Sequence, residues 1–133
     1  MFYLASDLEL PLVPPSDGSI SVTKLDPEDA VVRRQMDMPH VAYVGSHEGC
    51  GCGFLYEPEA CPEDGPAVLK SLGQLADYVE RQAAQGSRIQ LYAAWDGEQG
   101  EGTPVRRKVP VEAIRFGEYY LECGELLDIE VGV

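Results

Sequence analysis

The residues best suited to chemistry stand in one run, Gly45-Ser46-His47-Glu48-Gly49-Cys50-Gly51-Cys52-Gly53. Four of these nine are glycine, which opens backbone conformations closed to other residues and allows close approach to a ligand. The rest include an imidazole, a carboxylate and two thiols. His47, Cys50 and Cys52 are donors of the kind zinc favours, and Cys61 is the candidate fourth ligand, with His40 as its alternative. The spacing departs from the usual zinc knuckle, because one residue and not two to four separates the thiols, and no second knuckle follows.

Three other readings compete with metal. Cys50 can be a reactive thiol activated by His47 or by backbone N–H groups, although Glu48 opposes thiolate formation and no residue completes a nucleophilic set. The alternating glycines can form an anion-binding nest, but the run matches neither phosphate-binding glycine motif. No Lys or Arg lies between Arg34 and Lys70 to help hold a phosphate. The structural reading makes the glycines a tight bend, with Cys50 and Cys52 as small apolar residues of a strand starting near Cys52 and His47 exposed.

The flanking elements must position this run. HVAYVG, residues 40–45, is β-branched and aromatic ahead of a glycine, which predicts a strand delivering His47 at its end. A helix is predicted over about 72–85, with Ser71 and Gln74 as a capping box and Leu72, Leu75, Ala76, Val79 and Ala83 as its apolar stripe. Residues 67–70 can extend it back towards Pro66, and Gly86 can close it. RIQLYAAW, residues 88–95, reads as a central strand that leads Trp95 into a turn.

A shorter helix is expected over about 27–35, with Asp26 as N-cap, Pro27 at N1, and Ala30 and Val31 on its buried side. FYLA at 2–5 reads as a short edge strand, and Ile20 to Leu25 as a half-buried one. A strand is expected around Val105–Val109, with the polar glycine-rich connection before it as a candidate long hairpin tip, then a helical turn at 111–114. Alternation in GEYYLECGELLDIEV suggests a tail hairpin. Short connections outnumber places for a crossover helix. One α+β domain spanning 1–133 with a mostly antiparallel sheet follows.

The chain has 133 residues, 23 acidic and 10 basic, for a formal charge of -13. Such a charge disfavours nucleic acid or an anionic membrane surface as the main partner. No run approaches the roughly 18 apolar residues of a membrane span. The start meets Asp7 too early for a signal peptide, and the cytoplasm with reduced thiols is the expected setting. Glu57, Glu59, Glu63 and Asp64 lack a calcium-loop register. Arg106-Arg107-Lys108 is the one basic cluster, suited to balancing nearby carboxylates or meeting an acidic subunit.

No complete catalytic set appears, and no cofactor is named by the sequence. The reading is a non-enzymatic binding or accessory domain. Its alternative is a metal or reactive-thiol site built on His47, Cys50 and Cys52. A protein partner or a homo-oligomer formed through a sheet edge or the tail hairpin is a third class.

Overall fold

The fold is that of a computed structural model, which describes residues 1–48, 51–60, 62–95 and 97–131; Gly51 and Cys52 are described as backbone alone. Among the described residues, six strands form one sheet: β1 (Phe2–Ser6), β2 (Ser21–Lys24), β3 (His40–Gly45), β4 (Ile89–Ala93), β5 (Val105–Pro110) and β6 (Glu125–Glu130). Their spatial order is β2-β3-β1-β4-β6-β5, and every neighbouring pair is antiparallel except β5 with β6. The domain is α+β with a mostly antiparallel sheet.

β1 lies inside the sheet between β3 and β4 and is not the edge strand its position in the chain suggested. All five of its residues are buried, which suits a short apolar strand covered on both faces. β5 does not form a hairpin with β4. It pairs in parallel with β6, and residues 111–124 supply the crossover that a parallel pair requires. The expected tail hairpin is absent, because residues 118–124 form no strand and β6 inserts between β4 and β5.

One face of the sheet packs on helix α1 (Gly65–Ala83) and on α2 (Val111–Arg115). Phe2, Leu4, Val44, Leu91 and Leu127 meet Val68, Leu72, Leu75, Ala76 and Val79 there. These helix positions recur at three- and four-residue steps, the spacing that keeps one stripe against a sheet. α1 starts six residues before Ser71, with Pro66 in its first turn, so Ser71 and Gln74 form no capping box. The Pro62–Asp64 3₁₀ turn leads directly into it, and proline is preorganised for a first turn. α1 ends at Ala83, and the turn that follows closes on Gly86, with φ +86, whose N–H donates to the Ala83 carbonyl at 2.9 Å.

The opposite face carries a thinner core of Tyr3, Ala5, Val41, Tyr92 and Leu126, covered by Val32, Met36 and Met38. Val32 belongs to Pro27–Gln35, which is a 3₁₀ helix and not an α-helix. Side chains three apart eclipse in that geometry, so Val32 and Gln35 face inward while Ala30 and Val31 are exposed. Asp26 makes no side-chain cap bond; its carbonyl accepts the N–H of Asp29 at 2.9 Å.

Polar bonds fasten this layer. Gln90, fully buried on β4, accepts the N–H of Asp37 at 3.0 Å and donates to Asp37 at 3.1 Å and to Asp128 at 3.0 Å. Arg106 closes the network with a contact to Asp37 and a 3.7 Å ion pair to Asp128. The Gln35 amide donates to the carbonyls of Glu101 and Gly102, which ties the 95–104 connection to the same layer.

Candidate functional site

β3 delivers the candidate run to one end of the sheet. Gly45 is paired with Ser21 of β2, and beyond it the chain turns. The turn is made locally: the buried Ser46 hydroxyl accepts the N–H of Glu48 at 3.2 Å. His47 is thereby aimed at helix α1.

Ser71 receives it. The Ser71 Oγ accepts the His47 N–H at 3.1 Å and lies 2.6 Å from Nδ1 of the same ring. Ser71 is fully buried, so a helix residue on the core-facing stripe has its hydroxyl committed to one imidazole. The His47 side chain is 17% exposed, with Nε2 at 3.6 Å from a Glu48 carboxylate oxygen, longer than a hydrogen bond. His47 is therefore held by two bonds and is not the exposed turn residue of the structural reading.

A hydroxyl oxygen accepting one N–H can still donate to Nδ1 or accept from it. If Nδ1–H donates to Ser71, the Nε2 lone pair is available to a ligand. A ligating histidine is commonly oriented in this way, through its other nitrogen.

The far side of the run returns against the near side. Gly51–Phe54 is a 3₁₀ turn, not the strand that the structural reading required near Cys52. Its Gly53 abuts the first leg so closely that a Cβ there would overlap the Ser46 Oγ and lie 2.7 Å from the His47 Cε1. Phe54 then anchors the turn in the main core, edge-on to Phe2 with ring centroids 5.4 Å apart. The peptide of Cys52 is thus joined to the residue that touches the His47 ring. Cys50 and Cys61 lie outside the described residues, as does the side chain of Cys52. The anion nest, which needs Gly49 and Cys50, lies there too.

Other candidates separate from the site. His40 opens β3 and pairs with Ser6, five residues and roughly 17 Å of strand from Gly45, so it is not the fourth ligand. Cys123 is half-buried just before β6. Three interstrand spacings, about 14 Å, separate β6 from β3. Burial pushes the Cys123 thiol up, which keeps it protonated and poorly reactive.

Arg106 is engaged by Asp37 and Asp128, and Arg107 by Glu125 at 2.6 Å, so the basic cluster is mostly neutralised within the chain. Glu57 accepts the Tyr120 hydroxyl at 2.8 Å. Among the described residues, no group of three or more His, Cys, Asp or Glu side chains is placed to hold a metal ion. No helix among them is long and apolar enough to cross a membrane.

Sequence reasoning missed Ser71, Ser46 and Gly53. Ser71 carries a local signal for a helix start, and its true partner lies 24 residues away in the chain. The tight fit at Gly53 was visible only as one glycine among four. Comparison of the chain with protein-family models, with curated proteins and with solved structures finds no match in any of the three.

Proposed function

We propose that the protein is a non-enzymatic binding domain whose ligand site is the loop following β3. The ligand is a soft divalent cation such as zinc, held by His47 with the thiolates of Cys50, Cys52 and Cys61. The observation that carries this reading is the buried Ser71 hydroxyl, 2.6 Å from Nδ1 of His47. Such a bond fixes the ring and leaves the other nitrogen for a ligand. The contact of Gly53 with the same ring supports it, since the loop returns the chain beside His47 immediately after Cys52. A cytoplasmic setting, in which thiols stay reduced, suits this ligand set.

Native mass spectrometry of untagged protein under reducing conditions tests the proposal. One zinc per chain is expected, lost in Cys50→Ser with Cys52→Ser and weakened in His47→Ala. Metal-free protein that takes up no added zinc would overturn it. In that event, rapid alkylation of Cys50 that slows in His47→Ala would favour the reactive-thiol alternative.

A further inference from the structure

We propose that the end of the sheet carrying Trp95 is a docking surface for a basic, extended segment of a partner protein, with Trp95 as its anchor. Trp95 is the single tryptophan of the chain, and it is 68% exposed two residues beyond the end of β4. An indole is among the most costly side chains to leave in water, and tryptophans concentrate at the energetic centres of interfaces.

A second exposed apolar residue lies at the same end of the sheet. The Gly124 N–H donates to the Ala93 carbonyl at 2.8 Å, and the Val105 N–H donates to the Gly124 carbonyl at 2.9 Å. The ends of β4, β6 and β5 are thereby laced side by side, and Val105, itself 52% exposed, stands two strands from β4 on the same end of the sheet.

The charge around this surface chooses the partner. Glu98 follows Trp95 in a tight turn, its N–H donating to the Trp95 carbonyl at 3.0 Å. Glu101 lies in the next turn, its N–H on the Glu98 carbonyl, and Glu122 precedes Cys123. All three carboxylates are exposed, and none of them forms an ion pair among the described residues. The Arg107 guanidinium is taken by Glu125, and the Met1 ammonium donates to the Ala94 carbonyl at 2.7 Å.

A nucleic acid is repelled by such a surface, and a second copy of a chain with charge -13 brings the same carboxylates. A purely apolar partner would strip water from those carboxylates without replacing it. Alternating basic and apolar side chains meet both demands: guanidinium groups stack on the indole and face the glutamates, and apolar residues cover Val105.

The full chain, titrated with a short synthetic peptide of alternating Arg and Leu, tests this. Trp95 emission reports contact directly because no other indole is present. A saturable change is expected with that peptide and none with its Glu-Leu counterpart. With the label moved to the peptide, Trp95→Ala should weaken binding about tenfold, as should Glu98, Glu101 and Glu122 changed together to Gln, while Trp95→Phe retains most of it. The His47→Ala chain should bind as well as wild type, which separates this surface from the loop site. No emission change, equal binding by the Glu-Leu peptide, or undiminished binding by Trp95→Ala overturns the proposal. So does concentration-dependent self-association abolished by Trp95→Ala.

Discussion

Ser71 sits where a helix packing on a sheet would ordinarily place an aliphatic residue. Its hydroxyl escapes the cost of burial because His47 supplies both a main-chain donor and a ring nitrogen. Replacing Ser71 by Ala leaves that donor unpaired, and a loss of about 1–3 kcal/mol in denaturant unfolding is expected, with zinc uptake weakened as well. Gly53 is constrained by space alone. Gly53→Ala drives a methyl group into Ser46 and His47, which should cost roughly 1–3 kcal/mol in the same measurement and displace the ring. The Ser71–His47 pair was illegible in the sequence because it joins β3 to α1 across 24 residues. A serine three residues before a glutamine carries the same local signature whether it opens a helix or lies inside one.

The elements themselves were more legible than their neighbours. The strand at 40–45 carries its own evidence in β-branched and aromatic residues, and it forms over His40–Gly45 as expected. Pairing depends on contacts between distant segments. Nothing local distinguishes a hairpin partner for β4 from a strand that lies beyond β6, so β5 was misplaced. The 3₁₀ character of Pro27–Gln35 was hidden for a related reason: its three-residue spacing of Val32 and Gln35 is decided by the sheet beneath them.

The Arg106 hydrogen bond, followed by that from Gln90, holds the Asp37 carboxyl below its ordinary range. A carboxylate with a lowered folded-state pKa binds fewer protons folded than unfolded. Its contribution is therefore present above the unfolded pKa of about 3.9 and disappears as pH falls through the lower folded value. Asp37→Asn should cost no more than about 1 kcal/mol at neutral pH, because the pair is half exposed. The wild-type advantage should vanish in acid unfolding curves below that window. An equal deficit at all pH values would show that Asp37 acts through its backbone position and not its charge.

At the scale of the molecule, a six-stranded sheet clad by α1 and α2 on one face and by a 3₁₀ layer on the other presents its candidate chemistry at one end. The ends of β3 and β4 lie there with the starts of β1 and β6. Ser71 on α1 orients His47, while the thiols proposed to join it lie outside the described residues. That division explains why composition and periodicity revealed the α+β class while the site rested on one unusual run. The proposed function requires His47 and the loop thiols to reach a common ion. Absorption spectroscopy of reduced protein titrated with cobalt(II) reads that directly. A thiolate-to-cobalt charge-transfer band saturating at one equivalent, with tetrahedral visible bands that change in His47→Ala, is the predicted result. A spectrum identical to that of cobalt in buffer, with Cys50, Cys52 and Cys61 all free to react, would contradict it.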